Sequence, residues 1–105
     1  KGRKFQQAVA ADVQAYFGLA PEDVVSRPMG SGGDDLMLSA AARAAFPFAV
    51  ECKHVEALNL WSAFAQVERR ATVTPLLVFR RHRSAPMVAL RWTDFLVLCG
   101  TRAFL

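Results

Sequence analysis

Phe46-Pro47-Phe48-Ala49-Val50-Glu51-Cys52-Lys53 decides how the rest of the chain is read. A short apolar run closed by charged residues fits a central β-strand. Residues two apart in a strand point to one face, so Glu51 and Lys53 project together while Val50 and Cys52 face the other way. A bare Glu-x-Lys is common and usually amounts to a strand-end ion pair. What precedes it changes the odds.

Just upstream lies Ser26-Arg27-Pro28-Met29-Gly30-Ser31-Gly32-Gly33-Asp34-Asp35-Leu36-Met37-Leu38-Ser39. Val24-Val25-Ser26-Arg27 is a short β-like run stopped by Pro28. Gly30-Ser31-Gly32-Gly33 is a loop without bulky side chains, open to a close ligand. Asp34 to Ser39 reads as a strand, and the Ala-rich link from Ala40 to Ala45 has room for a helical turn. If the Asp34-Asp35 strand lies beside Glu51, one of its acids joins Glu51 and Lys53.

Two neighbouring carboxylates repel unless a cation sits between them. A hard divalent ion such as Mg²⁺ prefers oxygen ligands and relieves that repulsion. Such an ion polarises a phosphate oxygen and activates water, while a lysine stabilises growing negative charge. Acid, Glu-x-Lys and the backbone carbonyl of Cys52 are therefore parts for phosphodiester hydrolysis.

Outward from this centre the chain reads as helices and strands in alternation. Phe5, Val9, Val13, Tyr16 and Phe17 recur at helical spacing, and Gly18 is a natural stop. Leu58 to Ala71 is a second helix, with Leu60, Trp61, Phe64 and Val67 as its expected buried stripe. Asn59, Ser62, Gln66 and Arg69 form its polar side. Pro75–Phe79 and Met87–Arg91 read as strands around a basic turn, Arg80–Pro86. Thr93-Asp94 can cap a last short helix through Leu98. The pattern predicts one domain over residues 1–105, an α/β fold with one mixed sheet flanked by helices.

The chain has 105 residues, a net charge of +4 and a hydrophobic share of 53%, which excludes disorder and a membrane span. No secretory leader is legible at Lys1-Gly2-Arg3-Lys4, and the sequence opens without an initiator Met. Cys52 and Cys99 lack zinc spacing and are expected to be buried reduced thiols, which suits the cytoplasm. Basic residues cluster at Lys1–Lys4, Arg69-Arg70 and Arg80–Arg83. Each cluster alone reads as solvated surface; together they suit a phosphate partner. His54 is expected to face solvent. Trp61 and Trp92 could stack on bases, yet Trp61 fits the buried stripe and Trp92 a structural role.

Ser26–Ser39, then Phe46–Lys53, then the helix bearing Gln66, resemble the PD-(D/E)XK nuclease superfamily over the first two-thirds of the chain. Within it the archaeal-type Holliday junction resolvases and related phage endonucleases are the nearest in pattern. The resemblance implies a restriction-endonuclease-like core, α-β-β-β-α-β-β, and a Mg²⁺ or Mn²⁺ cofactor without an organic one. It implies Asp35 and Glu51 as metal ligands, with Asp34 where the family has Pro and still open as the ligand. Lys53 takes the place of the catalytic lysine, Ser31 of a loop serine touching phosphate or metal-bound water, and Gln66 of a helix glutamine beside the site. Arg27 matches a basic residue near the DNA backbone. Lys4, Arg69, Arg70, Arg80, Arg81 and Arg83 are further candidates for phosphate contact, the turn above all. Related resolvases often carry a Glu on the first helix, where this chain has Gln6 and Gln7; a neutral amide is the weaker Mg²⁺ ligand, so a second metal has less to hold it.

The resemblance also implies DNA as partner and a homodimer, through the Val88/Leu90 strand or Phe95–Leu98, with Phe104-Leu105 compatible. The expected setting is the cytoplasm of a bacterial or phage-infected cell, near the nucleoid. Rival readings are a general or sequence-specific endonuclease of the same superfamily, an inactive nucleic-acid-binding module, and a plain interaction domain.

Overall fold

A computed structural model describes the backbone of residues 2–103 and the side chains of residues 2–100; Lys1, Phe104 and Leu105 lie outside the described residues. The elements run α1 (Gly2–Phe17), a 3-10 turn (Pro21–Asp23), β1 (Val24–Ser26), β2 (Leu36–Leu38), α2 (Ala40–Ala45), β3 (Phe48–His54), α3 (Leu60–Arg70), β4 (Thr74–Arg80), β5 (Met87–Ala89) and α4 (Trp92–Ala103). The order agrees with the sequence reading, and the Ala-rich link does hold a helix, capped by Ser39 Oγ on the Ala42 N–H.

Helix α1 buries Phe5, Val9 and Val13, spaced by four, together with Gln6 and Ala10. Gly18 ends it at φ +62, and the Leu19 N–H returns to the Gln14 carbonyl at 2.9 Å. This is the left-handed glycine stop of a Schellman turn.

The expected single sheet is two. Strands β3, β4 and β5 form a mixed sheet, β3 parallel to β4 and β4 antiparallel to β5. Strands β1 and β2 form a separate antiparallel hairpin. The reason is the shortness of β2. It begins at Leu36 rather than Asp34, and Ser39 already caps α2. Of this segment, Asp35 makes a backbone bond to β3, its N–H donating to the Val50 carbonyl at 2.9 Å.

Helices cover both faces of the central strands. Val50, Leu76 and Val78 are buried in one cluster with Phe5 and Val9 of α1, and Cys52 packs against it. Ala49 and Leu77 alternate with them and are fully buried where α3 contacts β3 and β4 through Ala63 and Val67. Burying side chains of the size of Val50, Val67 and Leu77 contributes roughly 1.5–3 kcal/mol each. Two-sided burial explains why β3 is apolar until its last residues.

Four expectations are corrected. The α3 stripe runs through Ala63 and Val67, so Trp61 is 86% exposed. The larger residues at positions 60, 61 and 64 pulled the expected stripe round the helix. His54 is half-buried and sits edge-on to Phe5, ring centroids 5.8 Å apart, because it shares the α1-facing side of β3 with Val50 and Cys52. Cys99 is exposed, since α4 keeps Phe95 to Leu98 in solvent; both cysteines are free. The final helix runs on to Ala103, with Thr93 and Asp94 inside its first turn. Among the described residues no helix is long and apolar enough to cross a membrane.

Candidate active site

Strand β3 pairs with β4 along one edge and leaves the other edge open beside the β1–β2 hairpin. Asp35 docks on that edge twice. Its backbone N–H donates to the Val50 carbonyl, and its side-chain Oδ2 accepts the Cys52 N–H at 2.7 Å. A carboxylate thus replaces the carbonyl that a longer strand would have offered. This satisfies a backbone donor that would otherwise be orphaned, and it holds Asp35 beside the residues flanking Cys52.

Those residues are Glu51 and Lys53, and the pleat sends both toward α3. The Lys53 Nζ stands 3.6 Å from Glu51 Oε2. Asp35 belongs to the same electrostatic group. Burial raises its pKa above the usual carboxyl value, and the charge of Glu51 adds to that; the Cys52 N–H, Arg70 and Lys53 pull the other way. Asp35, Glu51 and Lys53, read from two segments of sequence, are therefore brought together. Cys52 between them has its thiol pKa pushed far up, by burial first and then by Asp35 and Glu51.

Arg70 differs from expectation. Assigned to a surface phosphate contact, its side chain lies across the acids. Its Nη2 meets Glu51 Oε1 at 2.6 Å, its Nε donates to Asp34 Oδ1 at 3.0 Å, and Nη2 also reaches the Val50 carbonyl at 3.4 Å. Burial works against its charge, yet the hydrogen bond and charge of Glu51, then those of Asp34, outweigh burial and raise its pKa. Ala63, Val67 and Arg70 are spaced by four and three, one continuous stripe on the sheet-facing side of α3. That spacing was the signal that could have found it.

Gln6 has a role that sequence reasoning did not assign. It is buried, and its Nε2 donates to the Arg27 carbonyl at 2.6 Å and the Asp35 carbonyl at 2.9 Å. It ties α1 to both ends of the Gly/Ser loop instead of offering an oxygen to a cation. Its place on the stripe with Phe5, Val9 and Ala10 was legible; the long-range partners were not.

The remaining expected residues divide. Arg27 Nε donates to the Asp34 carbonyl at 2.5 Å, so this arginine braces the loop from within. Gly33, at φ +106, lies so close to it that a Cβ would come 3.0 Å from Arg27 Cζ. Ser31 is exposed, and its hydroxyl donates to the Pro28 carbonyl at 2.7 Å in its own turn. Gln66 is exposed on α3, one turn before Arg70. Lys4 and Arg69 are exposed, as are Arg81 and Arg83 in the basic turn, with Arg80 half-buried at its base. The turn is held by the His82 N–H on Glu56 Oε2 at 2.7 Å and by Ser84 bonds to Arg81. A groove of about 320 Å³ runs beside Arg80 and Arg81. A larger one, about 460 Å³, is lined by Trp61, Phe64, Leu90 and Trp92 and shares no residue with the acid cluster.

Whether the cluster suits a divalent cation follows from its donors. Among the described residues no group of three or more His, Cys, Asp and Glu side chains is gathered for a metal. Mg²⁺ does not need one: it keeps several waters and takes one or two carboxylates plus substrate phosphate. Asp35 and Glu51 are two carboxylates in one electrostatic group, the charge of Glu51 adding to the rise in the Asp35 pKa. Comparisons with family models, with curated proteins and with solved structures returned no match.

Proposed function

We propose that the chain is a metal-dependent endodeoxyribonuclease, selective for DNA structure in the manner of Holliday junction resolvases. One observation carries the reading. Asp35, Glu51 and Lys53 converge where the hairpin meets the open edge of β3.

Bound Mg²⁺ or Mn²⁺ would supply charge neutralisation and polarisation at the scissile phosphate. Asp35 and Glu51, with the carbonyl of Cys52, would hold it. Lys53 places a positive charge where the phosphate gains negative charge as water attacks phosphorus and the P–O ester bond breaks. The Cys52 N–H keeps the Asp35 carboxylate oriented throughout. Arg81, Arg83 and Arg80 at the basic turn, with Lys4 and Arg69, are the proposed backbone grip. The proposed assembly is a homodimer, and the exposed Val88, Phe95, Leu96, Val97 and Leu98 support β5 and α4 as its face. The proposed setting is the cytoplasm of a bacterial or phage-infected cell.

A second reading, an inactive nucleic-acid-binding module, draws on Arg70. Its guanidinium already pairs with Glu51 and Asp34. Incubating labelled four-way junction, flap and linear duplex with the protein and Mg²⁺ or Mn²⁺ separates the possibilities. Preferential cutting of the junction supports the resolvase form. Equal cutting of all three indicates a general endonuclease, and binding without cutting in either metal defeats the enzymatic reading.

A further inference from the structure

Arg70 is the residue that the proposed chemistry leaves unexplained. It makes the shortest ion pair of the acid cluster and joins two of its carboxylates, Glu51 and Asp34. Lys53 is more distant from the same Glu51, at 3.6 Å. Glu51 thus meets two side-chain cations and Asp34 one, and the shorter contact on Glu51 is that of Arg70 rather than of the Glu-x-Lys lysine.

We infer that Arg70 is a resident counter-cation that competes with a divalent ion for Glu51. The inference rests on the metal-site reading above and adds a control built into α3. A divalent cation on Glu51 would share a small carboxylate with a guanidinium 2.6 Å away. Two positive charges that close, in a partly buried place, repel strongly. Loading therefore requires Arg70 to leave Glu51. Two features let it go. Arg70 is the last residue of α3, at the helix end where side-chain motion costs least packing. Its side chain is 26% exposed, so release moves the charge into water rather than into apolar core. Asp34, beside Asp35 in the loop, offers a second carboxylate on which it can remain.

A residue that merely positioned Glu51 would act in the opposite sense. Its loss would loosen the ligand and weaken metal binding. Loss of a competitor strengthens binding, because Glu51 then keeps only the more distant Lys53 until a cation arrives.

Mn²⁺ alone is the probe. It is titrated into the full chain as wild type, R70A, R70Q and E51Q, without DNA, and free Mn²⁺ is followed by electron paramagnetic resonance. R70A is expected to bind on the order of tenfold more tightly than wild type, as for a typical coupling between sites. R70Q keeps donors without charge and is expected to move the same way, which covers a folding defect in R70A. Mn²⁺ should also raise the melting temperature of R70A and R70Q by more than that of wild type. E51Q should bind least. Equal or weaker binding by both Arg70 variants, with wild type still binding, overturns the competition while the metal site stands. Absence of binding by wild type and both Arg70 variants overturns both.

Discussion

The Cys52 backbone N–H donates to the Asp35 carboxylate at 2.7 Å, and this bond places an acid from the loop entering β2 at the edge of β3. It also fixes the distance budget of the whole cluster, because Glu51 and Lys53 are the sequence neighbours of the donor. Burial and Glu51 together raise the Asp35 pKa, so the ordered carboxylate is held at an energetic cost.

That cost predicts a pH dependence. Native Asp35 retains its proton at pH values where the unfolded chain has lost it, so the native state binds more protons there. Stability then falls as pH rises from the ordinary carboxyl value of 3.8 through the raised native value, and is level above it. Asp35→Asn removes the charge and keeps an oxygen for the Cys52 N–H. It should melt higher than wild type near pH 7 and lose that advantage at pH 3, while cutting no DNA. Thermal melts at the two pH values check this; a lower melting temperature at pH 7 would contradict it.

Lys53→Ala should separate metal binding from chemistry. Its ammonium is the proposed stabiliser of developing charge, and losing one such donor costs about 10²–10³ in rate. Single-turnover cleavage should fall by that amount while Mn²⁺ affinity stays the same or rises. Full activity in this variant would remove Lys53 from the proposed site.

Gln6 carries two backbone carbonyls from α1. Gln6→Ala takes its donor from the Arg27 carbonyl and leaves the Asp35 carbonyl with the Arg27 N–H alone, at 2.7 Å, and should cost about 1–3 kcal/mol. In a chain of this size each kcal/mol lowers Tm by roughly 4–8 °C. Gln6→Glu should be at least as harmful, since a carboxylate would face two carbonyl oxygens. Differential scanning calorimetry on both variants is the measurement.

Gly33 has φ +106, and a Cβ added there would come 3.0 Å from the Arg27 guanidinium carbon. Gly33→Ala should therefore destabilise by about 1–3 kcal/mol, the range for a residue forced into a sparsely allowed conformation. Urea unfolding that shows no shift in midpoint would remove the loop's claim to be a braced structure.

Arg81 lies exposed in a tethered turn. If it contacts phosphate, Arg81→Ala weakens binding to every DNA similarly and lowers the magnitude of the salt slope by about one. A slope identical to that of wild type would assign the turn to some other role.

Much of the order of elements was legible because local chemistry writes it. A short apolar run closed by charged residues marked β3, spacing by four marked α1, and Gly18 marked where α1 ends. The pleat alone put Glu51 and Lys53 on one side. The α3 stripe was misread because Trp61 outweighs Ala63 in apolar bulk, although a small residue is what allows a helix to lie close on a sheet. The same misreading sent Arg70 to the surface.

Sequence by itself determined which residues alternate, where helices and strands form and that Glu51 and Lys53 share one face, since these depend on neighbours along the chain. Tertiary structure decided that Asp35 completes the edge of β3, that Gln6 holds the loop and that Arg70 lies on Glu51. Those contacts join residues between 17 and 29 positions apart. They depend on where helices dock and which strand edge stays open, and no local pattern carries that information.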